Sequence, residues 1–154
     1  KNIEKYENKF KELVNEYYNF KDDKNIIQKV ESPYKGLGEI YMMLGYLHNN
    51  NINKFDSLIK ISGRYYLDNT FEFKIFDNNH NVFRSFYDNV VSTRLYKITN
   101  VYFIKFIENL KNSIKYLEKG KSEEEIFYLL MKYLHTDHLG LSGNVAVSGD
   151  KIEE

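Results

Sequence analysis

Residues 57–67 read SLIKISGRYYL, and their first half predicts a strand of the core sheet. The run starts as an apolar strand, but it contains Lys60 and ends in a glycine, an arginine and two tyrosines. Strand alternation puts Lys60 on the face of Leu58 and Ser62, near the interior unless the strand lies at a sheet edge. A buried lysine usually has an anionic partner. The pattern leaves open whether that partner is a protein carboxylate or a ligand phosphate.

Apolar residues recur at helical spacing in three other parts of the chain. They predict a first helix with one buried stripe, a second after the loop at Pro33, and a third that stops at Gly120. A fourth helix begins at Ser122, which forms a capping box with Glu125. The apolar residues at helical spacing are Tyr6, Phe10, Leu13, Val14 and Tyr17 in the first helix, Leu37, Ile40, Tyr41, Leu44 and Leu47 in the second, and Phe103, Ile107, Leu110, Ile114 and Leu117 in the third.

Short runs rich in β-branched and aromatic residues predict the remaining strands. Because strands and helices interleave, the predicted class is α/β, a mixed sheet flanked by helices in one domain over residues 1–154. We expect residues 25–30, 57–62 and part of the final segment to share one sheet, with the helix over 37–48 packed against it as in a right-handed crossover. The runs are NIIQKV (25–30), FEFKIF (71–76), NVFRSF (81–86), VVSTRLYKI (90–98) and the end of LGLSGNVAVSGD (139–150).

Composition excludes several classes of function. The 22 basic and 22 acidic residues cancel, which argues against nonspecific binding to nucleic acid or to an anionic membrane. The absence of cysteine excludes disulfides and thiolate chemistry and suits a reducing compartment. No apolar run approaches the roughly 20 residues of a membrane helix, and no signal peptide is visible, so we expect a soluble protein.

The segment SPYKGLGE, residues 32–39, is the second motif with a chemical interpretation. In open α/β sheets, ligands bind beyond the carboxyl ends of strands, where glycines let the backbone approach them. Lys35 adds a positive charge, Gly36 and Gly38 flank the turn, and Glu39 begins the helix. The spacing is not that of a phosphate-binding P-loop. The pattern alone favours an ordinary strand-to-helix turn with a surface lysine over a ligand site.

Five segments in this order, ESPYKGLGE, a helix, LIKISGRYYL, STRLYKI and LGLSGNVAVSGD, resemble glycosyltransferase-like proteins of large DNA viruses and of bacterial surface-polysaccharide clusters. The resemblance covers about Glu31 to Asp150. It implies a GT-A-like, Rossmann-like fold in which a nucleotide-sugar donor lies across the carboxyl ends of the strands. It also implies a cytoplasmic location, the host cytoplasm for a viral member.

The resemblance assigns roles to residues of this chain. A metal-dependent GT-A enzyme has an Asp-x-Asp motif, which is absent here, so a divalent metal stays open as a cofactor and cationic side chains are the expected substitute. Glu39 and Asp150 are the carboxylates within the motifs, and either could be the catalytic base or a binding residue. The expected donor-binding residues are Lys35, Gly36, Gly38, Lys60, Ser62, Gly63, Arg64 and Arg94, and the expected acceptor-binding residues are Ser142 and Asn144.

Two interpretations of function remain open. One is a glycosyltransferase that uses a nucleotide sugar and a glycan acceptor, and the other is a non-catalytic α/β module that binds carbohydrate or protein through its many tyrosines. The sequence HTDH, residues 135–138, lies at a predicted helix end but lacks a third ligand, so we predict no metal site there. The chain starts at Lys1 within an amphipathic segment, which predicts that it is part of a longer protein, truncated at its N-terminus.

Overall fold

A computed structural model of the protein describes residues 4–34, 36–86, 89–144 and 150–153. These residues form helices and strands in an interleaved order, so the α/β class is confirmed. The helices are α1 (Glu4–Leu13), α2 (Lys24–Val30), α3 (Leu37–Asn49), α4 (Phe103–Leu117) and α5 (Glu123–Leu130). The strands are β1 (Ser57–Ile61), β2 (Tyr65–Leu67), β3 (Val82–Phe86), β4 (Val90–Val91), β5 (Leu95–Thr99), β6 (Leu134–Thr136), β7 (Leu141–Asn144) and β8 (Lys151–Glu153).

The strands form two sheets. The main sheet has the order β1-β5-β3-β4, with β6 also paired to β3, and the second sheet has the order β2-β7-β8. Every pair is antiparallel except β3 with β6. The main sheet is therefore mixed, as predicted, but the described strands do not show the repeated parallel pairing of a Rossmann-like sheet.

Helices cover one face of the main sheet. Alternate side chains of β3 and β5, namely Phe83, Tyr96 and Ile98, are buried in one cluster with residues of α3, α4 and α5. Leu37 and Ile40 on α3 belong to this cluster, which confirms that the predicted second helix packs against the sheet. The opposite side chains of the same strands enter a smaller cluster with the second sheet, formed by Phe76, Val82, Leu95, Leu139 and Leu141.

The strand predicted for residues 25–30 is wrong, because this segment is helix α2. The side chain of Asp23 accepts hydrogen bonds from the backbone N–H groups of Asn25 and Ile26 and so caps the helix. An apolar run this short does not separate helix from strand by periodicity, whereas the capping aspartate favours the helix. Without a strand here, the predicted crossover unit and its shared sheet are wrong as well.

The strand predicted for residues 71–76 is also wrong. Phe73–Ile75 form a short 3-10 helix, and Phe73 is exposed. Two carbonyl groups of this region, those of Phe76 and Asn78, accept hydrogen bonds from the buried Lys97 side chain. Because the side chain of a distant strand satisfies these carbonyls, the segment needs no ladder partner.

Three further predictions differ from the structure. The first helix is present as α1, but its apolar residues Tyr6, Phe10 and Leu13 are exposed instead of forming a buried stripe. The first two residues of HTDH, His135 and Thr136, belong to β6, and the sequence is not at a helix end. The final segment contributes β7 and β8 to the second sheet instead of joining β1, and residues 145–149 lie outside the described ranges.

The fourth predicted helix is confirmed in detail. Ser122 and Glu125 exchange side-chain and backbone hydrogen bonds in a capping box at the start of α5.

No helix within the described ranges has the length and apolar character needed to cross a membrane.

Candidate functional site

A cavity of about 690 Å³ lies beside the end of β1. Four chain segments form its walls: the turn leading into α3, the loop between β1 and β2, the residues before β5, and the connection from α4 to α5. Its lining includes Gly36, Glu39, Ser62, Arg64 and Arg94, which come from three motifs separated in the sequence. The prediction that the two glycine-bearing loops converge on one concave site is confirmed for Gly36, Glu39 and Arg64.

Lys60 is not among the residues that line this cavity, but it contacts three of them, Glu39, Ser62 and Thr93. Its ionic partner is a protein carboxylate. Its Nζ atom forms an ion pair with Glu39 and donates hydrogen bonds to Ser62 Oγ at 2.7 Å and to the Thr93 carbonyl at 2.5 Å. The Lys60 side chain is only 10% exposed, although β1 is an edge strand, because it points to the helix-covered face. Its ammonium also lies 5.5 Å from the centre of the Tyr96 ring.

The turn before α3 brings Glu39 to this position. Gly36 caps α3 with φ of 84°, in the left-handed region that glycine adopts at little cost. A Cβ atom at Gly36 would lie 3.0 Å from Glu123 Oε2, so the glycine also allows the two segments to approach closely. Glu39 follows in the first turn of α3, where its side chain is 38% exposed. It can therefore contact both Lys60 and a molecule in the cavity.

Glu123 is a functional candidate that the sequence analysis missed. It stands at the first position of α5, where a glutamate is expected for the helix dipole alone. In the fold it lines the cavity and is only 6% exposed. Burial raises its pKa well above the usual value, the negative charge of Glu39 raises it further, and Lys60 opposes both effects. The local pattern carries no signal of this, because the burial comes from other elements.

Two arginines stand on another part of the wall. Arg94 donates a hydrogen bond from Nε to the Tyr65 hydroxyl at 3.1 Å, and the backbone N–H of Ser62 donates to the Arg94 carbonyl at 2.8 Å. These bonds join the loop after β1 to the residue before β5. Arg64 is exposed at the cavity and has no ion pair with any described residue. Its guanidinium is thus available to an anionic ligand.

Two of the predicted glycines do not reach the cavity lining. Gly38 is buried within α3, where a Cβ atom would lie 2.7 Å from Val30 Cα, so its small size serves helix packing. Gly63 is exposed and has open space around it. Lys35, the other donor-binding prediction of this group, lies outside the described residues.

The predicted acceptor residues and one predicted carboxylate are also not among the cavity lining residues. Ser142 is buried on β7, and its hydroxyl donates a hydrogen bond to Asp68 Oδ2 at 2.6 Å. Asn144 is exposed at the end of β7, and Asp150 is exposed just before β8. The nearest connection is through Gly143, whose register partner Tyr65 lines the cavity. The acceptor role of these residues stays a prediction.

Within the described parts of the chain, no group of three or more histidine, aspartate or glutamate side chains is placed to hold a metal ion. Comparisons of the chain with protein-family models, with curated proteins and with solved structures return no match. The resemblance to glycosyltransferase-like proteins therefore rests on the sequence motifs.

Proposed function

We propose that this protein is a glycosyltransferase, or the catalytic part of one, that moves a sugar from a nucleotide-sugar donor to a glycan or related acceptor. One observation carries the proposal: residues predicted from three separate motifs line the same cavity. Its volume of about 690 Å³ is in the range of small-molecule sites, roughly 300 to 1,000 Å³. The resemblance supplies the class of reaction, and the cavity supplies a place for it.

The two arginines are the proposed ligands of the donor diphosphate. A guanidinium presents a planar fork of donors that matches two phosphate oxygens, and such charge-assisted bonds are stronger than neutral ones. Arg64 has no competing ion pair with a described residue, and Arg94 is held in place by Tyr65. Lys60 is engaged by Glu39, so it acts as a positioning residue and not as a direct phosphate ligand.

Glu39 is the proposed base for an inverting transfer. The carboxylate takes the proton from the acceptor hydroxyl while its oxygen bonds to the anomeric carbon of the donor sugar. The bond from that carbon to the phosphate breaks, and the nucleotide diphosphate leaves with the electron pair, stabilised by Arg64 and Arg94. Of the two predicted carboxylates, Glu39 is favoured because it lines the cavity and Asp150 does not.

The proposal includes the GT-A-like character and the cytoplasmic location that the resemblance implies. The mostly antiparallel strand order gives the GT-A-like assignment no support of its own. Nucleotide binding must therefore be measured directly. A divalent metal on the donor diphosphate stays open within the proposal, and binding should be measured with and without Mg²⁺ for this reason.

One observation favours the second interpretation, a carbohydrate-binding module without catalysis. Tyr34 and Tyr65 line the cavity, and tyrosine rings are common stacking surfaces for ligands. A module of this kind would bind free glycans without needing the charge of Arg64. The two interpretations therefore differ in the ligand that responds and in its dependence on one arginine.

The experiment is a saturation-transfer NMR panel of UDP, GDP and CMP sugars and of free glycans, with the native chain and the Arg64→Lys variant. We expect a selective response to one nucleotide sugar and a loss of about ten- to a hundredfold in affinity in the variant, because a bidentate contact is worth about 1.5 to 3 kcal/mol. The thermal midpoint of unfolding should change little, because Arg64 is exposed.

The matched control is Lys105→Arg, a charge-conserving exchange on the exposed side of α4. Arg84, the arginine outside the motifs, is a poor control: burial lowers its pKa, and the charge of Arg94, a cavity residue, lowers it further. A response to free glycans alone would favour the binding module. Equal affinity in Arg64→Lys and the control would reject Arg64 as a phosphate ligand.

A further inference from the structure

The cavity wall contains a buried carboxyl group, that of Glu123, which the proposed transfer step does not use. The residue is 6% exposed, yet it lines the cavity. Its carboxyl forms no hydrogen bond with any described residue, whereas the neighbouring Glu125 carboxylate is fully engaged in the capping box. Because Glu123 lines the cavity, its carboxyl can exchange hydrogen bonds with a molecule bound there.

The charged groups around Glu123 make a second negative charge unfavourable. Glu39 approaches it from α3, Glu124 from its own helix, and the Tyr96 side chain lies close on β5. Lys60, the nearby cation from β1, is already paired with Glu39. Two carboxyl groups that share one site cannot both ionise easily, and the one with the better cationic partner keeps the charge. Here Glu39 has that partner, whereas burial disfavours the charged form of Glu123 and raises its pKa.

Neutrality changes what Glu123 can do in the cavity. An ionised carboxylate only accepts hydrogen bonds and repels a phosphate, whereas a protonated one carries an O–H donor. When two neighbouring carboxyl groups have different protonation states, the neutral one commonly donates a proton or hydrogen bond and the ionised one accepts it. In this cavity the anionic Glu39 would accept a proton or a hydroxyl group, and Glu123 would donate to an acceptor oxygen.

We propose that Glu123 is a neutral carboxylic acid that donates a hydrogen bond to a phosphoryl oxygen of the bound ligand, so that phosphoryl binding requires this proton. The inference rests on the proposed function for its ligand class, because Arg64 and Arg94 on the same cavity wall suit an anion. Ionisation of Glu123 would both remove a donor and add a repelling charge. The affinity for a phosphoryl ligand therefore falls as the pH rises and Glu123 loses its proton.

The first measurement needs no ligand and no variant. The carboxyl carbon of Glu123, assigned through its bonds in ¹³C-labelled native protein, is followed by NMR over a pH titration. We expect it to titrate well above the usual range of a glutamate side chain. A Glu123 carboxyl that titrates within that usual range would overturn the inference.

The second measurement is the affinity for inorganic pyrophosphate, by calorimetry from about pH 6 to about one pH unit above the midpoint that NMR gives for Glu123, in native protein, Glu123→Gln and Glu108→Gln. The amide of glutamine donates a hydrogen bond at every pH. We therefore expect the affinity of the native protein to fall relative to Glu123→Gln by up to about tenfold per pH unit once Glu123 ionises. Glu108→Gln should follow the native curve. Ionisation of pyrophosphate itself affects all three proteins alike.

The outcomes separate this inference from the proposed function. Parallel curves for native protein and Glu123→Gln, or no pyrophosphate binding at any pH, would overturn the inference. Pyrophosphate binding with the expected pH difference, but no response to any nucleotide sugar, would support the inference and reject the glycosyltransferase. Nucleotide-sugar binding with identical pH dependence in both proteins would reject the inference alone.

Discussion

Two lysines on adjacent strands of the main sheet, one buried and one largely buried, point to opposite faces and have different partners. Lys60 on β1 faces the helices, where Glu39 supplies a carboxylate at the wall of the cavity. Lys97 on β5 faces the other side, and its Nζ donates hydrogen bonds to the backbone carbonyls of Phe76, at 2.5 Å, and of Asn78. Burial lowers the pKa of Lys97, and the charge of Asp77 opposes this shift.

The difference shows that a lysine within an apolar strand does not by itself indicate a ligand site. Both residues interrupt the apolar alternation in the same way, and Lys97 is the more buried of the two at 3% exposure. What separates them is the partner. The partners of Lys97 are backbone carbonyls, so this lysine holds a loop in place. The partner of Lys60 is a carboxylate that can also contact a molecule in the cavity.

The largest effect on stability is expected at Lys97. Lys97→Ala removes the packed side-chain stem and leaves two carbonyl groups without their donor, so the free energy of unfolding should fall by about 2 to 4 kcal/mol. Urea denaturation measures this. Lys74→Ala, at a lysine that is 80% exposed, is the control and should change stability by less than about 0.5 kcal/mol. A loss at Lys97 equal to the control would mean that the carbonyl contacts do not hold the loop.

A smaller effect is expected at Lys60. Lys60→Met should lower the free energy of unfolding by about 1 to 2 kcal/mol. The change leaves the buried Oε1 atom of Glu39 without its cation, but the Glu39 side chain as a whole is 38% exposed, so the loss stays below the full cost of breaking a buried pair. Adding Glu39→Gln to Lys60→Met should then lower the free energy of unfolding only slightly further. A double-mutant cycle should therefore give a coupling energy of about 1 kcal/mol. Strictly additive losses would show that the ion pair contributes nothing to stability.

The smallest effect is a pH dependence of the contribution that Lys97 makes to stability. The pKa of Lys97 is lowered in the folded protein and ordinary, near 10.5, in the unfolded chain. Its contribution to stability is therefore present above the unfolded pKa and lost as the pH falls through the folded pKa. We expect the stability of the native protein relative to Lys97→Met to increase as the pH is raised from neutral toward 10.5. A difference that is constant across this range would contradict the lowered pKa.

Local signals in the sequence predicted much of the fold correctly. The β1 strand, helix α4 and the capping box at Ser122 each depend on residues within a few positions of one another, so the pattern contains the information needed. The same holds for the face of Lys60, which follows from strand alternation alone. For residues 25–30 the local signal was ambiguous, and the capping bonds of Asp23 decide for helix.

Only the tertiary structure decided the partners. Glu39 and Lys60 come from α3 and β1, and Glu123 comes from α5, far along the chain. The packing of those elements determines whether Lys60 pairs with a carboxylate or a phosphate. It also determines whether Glu123 is an exposed charge at the start of a helix or a buried carboxyl group. Burial and the charges of neighbouring elements set the ionisation of a side chain, and neither quantity is a property of the local sequence. The sequence alone therefore determined the elements and the polar motifs, and packing determined the chemistry of the cavity.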